Sequence, residues 1–218
     1  MRAKSAEPAA FRAALAAVGR VLDQSGITWW IQDGTLLGAV RHGGPIPGDK
    51  DVDIGIFASE FRPSLIGDLK AAGLAVTRTR AVDHRLRLFI RIRHDGFPVD
   101  IFGMYDEGDR WSYSIDHRRL RVDNLFTPFS IGRIDYMGLE VPCPEPPERY
   151  LVEAYGPDWP VPVSEWHCAF SPHNLRVAGG SLAQLRYRYR RSVWHRRKAR
   201  LRRPSEPVAA GAPQGGAA

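Results

Sequence analysis

The sequence predicts an α+β fold in which a mixed sheet is flanked by helices. Segments with helical spacing of apolar residues alternate along the chain with short runs of β-branched and aromatic residues. A strong hairpin signal, Asp95-Gly96, joins two of these runs. Strands interleaved with helices and a hairpin favour a mixed sheet. The 218 residues are enough for one sizeable domain with a small appendage.

The first elements surround the strongest motif in the chain. Apolar residues at helical spacing predict a helix near 8–25, and a short strand follows over 27–31. Thr35 is predicted to cap the next, short helix. The Gly- and Pro-rich stretch 42–50 is a predicted loop. The alternating segment DVDIGIF, residues 51–57, predicts a half-buried strand.

A helix and three further strands are predicted next. Ser59 is expected to cap a helix whose apolar face includes Phe61 and Leu65. A strand over 74–79 follows. The alternating segments 86–93 and 97–104 then form the two arms of the hairpin.

The C-terminal part is predicted to be less regular. The segment 146–155 (PPERYLVEAY) indicates a helix, with proline in its first turn and glycine just past its end. A loop-rich stretch, 157–180, precedes a basic helix over 181–203. Composition predicts a disordered tail over 204–218. These boundaries predict one main domain over 1–180.

Composition limits the class of protein to which the chain belongs. No apolar run approaches the ~20 residues of a membrane-spanning helix, and residues 1–10 lack a signal-peptide pattern. We therefore expect a cytoplasmic protein. Cys143 and Cys168 give neither a disulfide framework nor zinc-site spacing. The formal net charge of +7, concentrated in 186–203, predicts a polyanionic partner.

Asp51 and Asp53 are the strongest candidates for chemistry. They are two residues apart on a predicted strand, so their carboxylates share one face. Carboxylate oxygens suit Mg²⁺ or Mn²⁺. Asp100 is the expected third carboxylate, because it lies mid-strand among apolar residues, where an unpaired charge is costly. Asp49, in the loop, is a weaker candidate, and an isolated Asp-x-Asp pair is more often a solvated strand end.

A predicted anion site precedes this pair. Gly34 and Thr35 follow a strand and begin a short helix, whose backbone N–H groups favour bound phosphate. Arg41, His42 and Lys50 flank the loop and are predicted to contact phosphate oxygens, with simple surface exposure as the alternative for each. A phosphate site beside metal carboxylates is typical of phosphoryl or nucleotidyl transfer.

The strand 86–93 offers a second set of cations. Its arginines share one face with Phe89, and this face either lines a substrate groove or is solvated. The arginines of this face are Arg85, Arg87, Arg91 and Arg93.

The stretch Trp30–Ile54 (WIQDGTLLGAVRHGGPIPGDKDVDI) resembles the signature of the LicD family, which includes the fukutin-related proteins. In that family a GTLLGAVRHGG segment runs through a proline loop into an aspartate cluster. Two later segments, 99–102 (VDIF) and 150–159 (YLVEAYGPDW), are similar to family elements. The resemblance spans roughly residues 20–160.

The resemblance implies a nucleotidyltransferase-like fold. It implies an enzyme that transfers a phospho-alcohol group, of the phosphocholine or ribitol phosphate type, from a CDP-linked donor to a glycan or glycolipid of the cell envelope. It also implies that Asp51 and Asp53 are the metal-binding pair, that Asp100 is the third acidic residue, and that Gly34 and Thr35 form the turn that holds donor phosphate.

The chain departs from the family pattern at two positions. Gly48 stands where the family usually has tryptophan, and Lys50 interrupts the acidic run. Lys50 adds a positive charge beside the metal pair, which implies a different donor or a weaker metal site.

Two other functions fit the residues. The same carboxylates would serve a nucleotidyltransferase acting on a small hydroxyl compound, or the chain is a catalytically decayed module that binds an anionic surface. In 186–203, Tyr187 and Tyr189 alternate with arginines as in nucleic-acid contacts. On a helix, however, Tyr187, Arg191 and Trp194 would share one side, as in an interfacial helix. We expect peripheral contact with an anionic membrane at the cytoplasmic face rather than nucleic-acid binding, with a solvated basic tail as the alternative.

Overall fold

The computed structural model describes residues 8–80, 87–117, 120–163, 165–178 and 180–201, and it confirms the α+β fold. The helices are α1 (Pro8–Gln24), α2 (Asp33–His42), α3 (Ser64–Ala71), α4 (Pro147–Tyr155) and α5 (Ser181–Leu201). The strands are β1 (Trp29–Ile31), β2 (Val52–Phe57), β3 (Ala75–Arg80), β4 (Phe89–His94), β5 (Phe97–Asp106), β6 (Trp111–His117), β7 (Leu120–Phe126), β8 (Ser130–Tyr136), β9 (Leu139–Glu145) and β10 (Leu175–Ala178).

The long strand β5 organises a mixed sheet. Its first part pairs in parallel with β2 and antiparallel with β4, and its last two residues, Tyr105 and Asp106, pair with β6. β1 extends the sheet beyond β2, β3 extends it beyond β4, and β7 and β10 extend it beyond β6. β8 and β9 form a separate antiparallel hairpin. The predicted hairpin at Asp95-Gly96 is confirmed, because β4 and β5 pair directly across it.

Helix α1 covers one face of the central strands. Phe11 of α1 and Phe97 of β5 have ring centroids 4.5 Å apart. Val99 and Ile101 lie on the same side of β5 as Phe97, and both are fully buried. Asp100 lies between them in sequence and therefore points to the opposite face, away from α1.

Both predicted side-chain caps are wrong. The residue before α2 is Gln32, and no side chain caps this helix. Thr35 lies inside α2, where its hydroxyl accepts a hydrogen bond from the backbone N–H of Asp53 at 2.8 Å. Ser59 lies in a short 3-10 helix, Ala58–Glu60, and α3 begins only after Pro63. At α2 the Thr35 hydroxyl is used in a tertiary contact with β2 instead of a cap, and at α3 the helix begins after Pro63. The local capping preference therefore does not decide either helix start.

The basic segment forms the helix α5, but the side predicted to be interfacial is packed against the protein. The Tyr187 hydroxyl, the Arg191 guanidinium and the Trp194 indole all donate hydrogen bonds to the segment 169–172. Only 3% of Tyr187 is exposed. This part of the prediction is wrong, because a helical pattern shows which residues share a side and not what covers them. None of the described helices is long and apolar enough to cross a membrane.

Candidate active site

Three carboxylates meet where β2 and β5 run side by side. The parallel register places Asp53 directly opposite Asp100. Asp51 lies two residues before Asp53, on the same side of the chain. One carboxylate oxygen from each of the three residues lies within 4.8 Å of the others. The fold thus brings together the three aspartates that the sequence predicts as a metal site.

Arg91 is the cation in contact with this cluster. It lies opposite Asp100 in the antiparallel β4–β5 pair. Its Nε donates to one oxygen of Asp100 at 2.6 Å, and a terminal nitrogen donates to the other. The same terminal nitrogen is 3.8 Å from a carboxylate oxygen of Asp51. Arg91 therefore holds both oxygens of Asp100 in place.

The other arginines of the predicted cationic face do not join the cluster. Arg87 donates to Glu107 and to Ser112, in a separate network. Arg93 is exposed and donates to the carbonyl oxygen of Gly96. Arg85 lies outside the described residues.

Asp33 is a carboxylate of the site that the sequence pattern does not single out. It has a left-handed backbone conformation with φ of 47° at the start of α2. Its carboxylate accepts hydrogen bonds from the hydroxyls of Tyr113, at 2.6 Å, and Tyr150, at 3.2 Å. Gln32 donates a third. Non-glycine residues rarely adopt this conformation, which is enriched at turns and at active sites, and the sequence does not reveal φ.

Asp49 also lies at the site. One of its oxygens accepts the backbone N–H of Lys50 at 3.0 Å. Its other oxygen is buried and receives no hydrogen bond from the described residues. A buried carboxylate oxygen without a donor is costly unless a cation or another donor reaches it. Asp49 is therefore a stronger candidate than its loop position in the sequence indicates.

The electrostatics of the cluster show a deficit of positive charge. Burial raises the pKa of Asp53 well above its usual range, and Asp33, Asp51, Asp49 and Asp100 raise it further. Burial raises the pKa of Asp49 to about 6. It also raises the pKa of Asp33 to about 6, although three hydrogen bonds act in the opposite direction. The pKa of Asp51 is raised by burial and by Asp100, despite two nearby cations.

Gly34 keeps α2 close to these carboxylates. A Cβ at this position would lie 3.2 Å from an oxygen of Asp49 and 3.5 Å from an oxygen of Asp53. The N-terminal end of α2 therefore faces the acidic cluster, and its free N–H groups and dipole favour negative charge there. The hydroxyl of Thr35 is buried and bound to Asp53 N–H, so this side chain fixes α2 against β2.

The predicted phosphate-binding cations are spread along the loop and the end of α2. Arg41 is half-buried, whereas His42 and Lys50 are exposed. Burial and the nearby aspartates raise the pKa of Tyr155 well above its usual range, and the charge of Arg41 lowers it in part. The loop packs closely on α2, since a Cβ at Gly38 would lie 2.5 Å from the carbonyl oxygen of Gly44. Contact of these cations with a phosphate stays a prediction.

The carboxylate set fits a divalent cation. It offers three oxygen ligands within one ion's reach, a further buried oxygen from Asp49, and raised pKa values that a bound cation would reverse. Hard oxygen donors of this kind suit Mg²⁺ or Mn²⁺ rather than softer metals. The identity of the metal stays a prediction.

The comparisons with known proteins agree with this geometry. The family model described as "LicD/FKTN/FKRP, nucleotidyltransferase domain" matches residues 26–146. This match covers both strands of the site.

The chain belongs to the LicD/FKTN/FKRP family. The ribitol-5-phosphate transferase FKTN of Mus musculus is 31% identical over 163 residues, which cover 73% of this chain and 35% of that protein. The Homo sapiens FKTN is 29% identical over the same length. The ribitol 5-phosphate transferase FKRP of Homo sapiens is 50% identical over 40 residues, or 18% of this chain and 8% of that protein. The chain thus matches about a third of the length of the FKTN proteins.

Solved structures give distant matches. A putative nucleotidyltransferase of Thermotoga maritima aligns with a TM-score of 0.43 and 14% identity, over 69% of this chain and 86% of that one. The antibiotic-resistance factor ANT(2″)-Ia aligns with a TM-score of 0.42 and 18% identity, over 87% of this chain and 93% of that one. At this distance the likeness says nothing about activity.

The structure gives a physical role to the later segments that resemble the LicD family. The segment 99–102 contributes Asp100 to the cluster. In the segment 150–159, Tyr150 donates to Asp33, and its ring stacks on Phe126 with centroids 4.1 Å apart. These segments therefore tie β5 and α4 to the aspartates.

Proposed function

We propose that this LicD-family chain transfers a phospho-alcohol group, of the phosphocholine or polyol-phosphate type, from a CDP-linked donor to a glycan or glycolipid of the cell envelope. The observation that carries the proposal is the convergence of Asp51, Asp53 and Asp100 at one point of the sheet. The FKTN and FKRP relatives, named as ribitol-5-phosphate transferases, support phospho-alcohol transfer as the reaction class.

Asp51, Asp53 and Asp100 are the proposed ligands of Mg²⁺ or Mn²⁺. When bound, such an ion would neutralise charge on the donor phosphates and on the leaving group. Among the described ion pairs, Arg91 contacts Asp51 and Asp100, and no ion pair reaches Asp33, Asp49 or Asp53. Burial raises the pKa values of Asp51 and Asp53, and the neighbouring carboxylates raise them further.

The remaining residues of the site have distinct proposed roles. Arg91 fixes the orientation of Asp100 through its two hydrogen bonds. Asp33, held by Tyr113 and Tyr150, supplies negative charge beside the N-terminal end of α2.

The donor phosphates are expected at the N-terminal end of α2. The backbone of Gly34 and Thr35 would meet them there, and Arg41, His42 and Lys50 would contact their oxygens. Attack on the donor also requires removal of a proton from the acceptor hydroxyl. Asp100 is the proposed base for that step when it does not serve as a ligand.

The proposed partners follow from this reaction. They are a CDP-linked donor and a glycan or glycolipid acceptor, with peripheral contact to an anionic membrane through the basic helix and no nucleic acid. A cytoplasmic location at the inner face of the membrane fits this set of partners. The proposed catalytic domain spans 1–180 and is followed by the basic helix predicted over 181–203, while the predicted tail over 204–218 lies outside the described residues.

A nucleotidyltransferase acting on a small hydroxyl compound is the second candidate. The same three carboxylates would serve it, because both reactions break a bond between donor phosphates. The two reactions differ in which half of the donor remains on the product. A decayed binding module is the third candidate, and it predicts no turnover.

A donor screen by mass spectrometry tests the proposal. The full chain is incubated with Mg²⁺ or Mn²⁺ and a panel of CDP-linked alcohols, and release of CMP is measured. CMP release with one donor, dependent on the metal, would support the proposal and identify the transferred group. A nucleoside monophosphate attached to the product would favour the second candidate. Absence of turnover with metal bound would indicate a different nucleotide donor or the third candidate, with Lys50 as the first residue to replace.

A further inference from the structure

Helix α5 has two apolar sides. One side, with Tyr187 and Trp194, packs against the protein. The residues Leu182, Leu185, Tyr189 and Val193 are spaced three, four and four apart, so they form one continuous stripe along the helix. This stripe lies opposite the packed side.

The stripe is exposed. Leu182, Leu185, Tyr189 and Val193 are 60%, 64%, 66% and 43% exposed, respectively. They account for half of the large apolar side chains exposed in the described part of the chain. Scattered exposed apolar residues are ordinary, but an exposed contiguous patch indicates an interaction surface.

Positive charge surrounds this stripe. The helix contains no acidic residue. Arg186, Arg190 and Arg197 lie along one flank of the stripe, Arg188 lies on the other, and Arg196 continues the line of the stripe beyond Val193. All five side chains are exposed. Because its other apolar side is packed against the protein, α5 presents to solvent an apolar stripe beside arginines and no acidic residue, which suits contact with the surface of an anionic membrane.

A groove adjoins the stripe on its arginine-rich flank. It has a volume of about 370 Å³ and lies between α5 and the rings of His117, His167 and Phe170. Arg190 and Arg197, two helical turns apart, line it. Its remaining α5 walls are Tyr189, Val193 and Trp194. The groove therefore places two guanidinium groups beside the apolar stripe, at a suitable position for a phosphate group.

We propose that the exposed face of α5 binds the surface of an anionic phospholipid membrane. Leu182, Leu185, Tyr189 and Val193 lie at the boundary between headgroups and acyl chains, and a headgroup phosphate occupies the groove beside Arg190 and Arg197. This assigns membrane contact to the side opposite the one that the sequence pattern indicates. Nucleic acid is disfavoured, because three of the four stripe residues are aliphatic and offer no surface on which bases stack.

Vesicle co-sedimentation of the full chain tests the proposal. Vesicles of phosphatidylcholine are compared with vesicles that also contain phosphatidylglycerol, at low and high salt. No donor or divalent metal is added, so the result does not depend on the proposed catalytic activity. We expect partition into the phosphatidylglycerol vesicles only, weakened by salt. Equal binding to both vesicle types, or to neither, would overturn the proposal.

The apolar stripe has a closely matched control. The double variant Leu185→Ser/Val193→Ser removes residues that are 64% and 43% exposed. The control Val161→Ser/Val152→Ser removes residues that are 63% and 43% exposed and lie outside α5. We expect about a tenfold lower partition coefficient for the α5 variant and no change for the control. Equal behaviour of the two variants would reject the stripe, provided that thermal melts show both to be folded.

The groove is tested at constant net charge. Arg190→Gln/Arg197→Gln is compared with Arg20→Gln/Arg62→Gln, which removes two exposed arginines elsewhere. We expect at least about a tenfold loss of binding for the α5 pair only. Equal losses of vesicle binding in the two variants would show that only the overall positive charge matters, and would reject the groove as a phosphate-binding position. If the chain binds a single-stranded oligonucleotide more tightly than vesicles, the proposal is overturned and the face binds nucleic acid. If the chain dimerises through the stripe, the proposal is overturned and the face binds a second copy of the chain.

Discussion

The molecule holds two groups of buried and partly buried acidic residues, and their surroundings are opposite. In one group, Glu107 and Asp123 are surrounded by donors. Arg176 contacts both, at 2.6 and 3.1 Å. Arg87 and Ser112 also donate to Glu107, and Ser114 and Arg121 contact Asp123. Burial would raise the pKa of Glu107, but the hydrogen bonds from Ser112, Arg176 and Arg87 lower it to about 2.

In the aspartate cluster of β2 and β5 the balance is reversed. Arg91 pairs with Asp100, while the pKa values of Asp33 and Asp49 rise to about 6 and that of Asp53 rises further. Acidic groups left without cations cost stability, and carboxylates with perturbed pKa values cluster at functional sites. The comparison therefore separates a compensated network from an uncompensated cluster of acidic residues.

Removal of one charge from the aspartate cluster is the sharpest test of this contrast. Asp53→Asn should lower turnover by at least about a thousandfold, because it deletes a proposed metal ligand. It should also raise the melting temperature in chelator, because a buried charge without a partner is lost. Turnover and scanning fluorimetry measure the two effects. Asp109→Asn, an exposed change of equal charge, is the control; normal turnover of Asp53→Asn would refute the site.

Removal of a charge from the paired network should have the opposite effect on stability. Glu107→Gln should cost about 2–4 kcal/mol of unfolding free energy, because three donors lose a charged acceptor. Glu140→Gln breaks an ion pair whose side chains are 60% and 73% exposed, and it should cost less than about 1 kcal/mol. Urea unfolding compares the two. Equal costs would show that the Glu107 network is not a stabilising one.

The pH dependence of stability provides a third test. The pKa values of Asp33 and Asp49 are raised from 3.8 to about 6 in the fold. The stabilisation of the folded state by their protonated forms is therefore fully present below pH 3.8 and is lost as the pH rises through about 6. In chelator the melting temperature should therefore fall between these pH values, by roughly 2–4 °C for each kcal/mol lost. Mg²⁺ should restore stability at neutral pH and have little effect below pH 3.8. If Mg²⁺ raised the melting temperature equally at both pH values, the aspartates would not form a cluster that lacks compensating positive charge.

A glycine substitution should give the smallest effect. At Gly34 an added methyl group would lie 3.2 Å from an Asp49 oxygen, so Gly34→Ala should weaken metal binding by about tenfold through displaced carboxylates. Calorimetric titration with Mn²⁺ measures the affinity. Gly67, in α3, has nothing within 4 Å of an added Cβ, so Gly67→Ala should leave metal binding intact and add about 0.5–1 kcal/mol of stability. Unchanged Mn²⁺ affinity in Gly34→Ala would show that α2 does not constrain the cluster.

The sequence predicted most elements but not all of the site. Alternation along 86–93 puts Ile90 and Ile92 on one face of the strand, and the structure buries both. The predicted turn at Asp95-Gly96 joins β4 to β5. The strand β10, Leu175–Ala178, was missed within a stretch that composition assigned to loop. Pairing with β7 makes this short segment a strand, and such pairing leaves little trace in local sequence.

The sequence by itself determined the Asp51/Asp53 pair, the apolar alternation that turns it to one face, and the signature by which the LicD family is identified. Only the tertiary structure decided which groups meet it. Strand register set Asp100 and Arg91 beside the pair. The start of α2 added Asp33, whose own backbone is left-handed. The packing of α5 decided which side of that helix is exposed. The reason is that side-chain periodicity is a local property, whereas register, charge compensation and burial depend on partners distant in the chain.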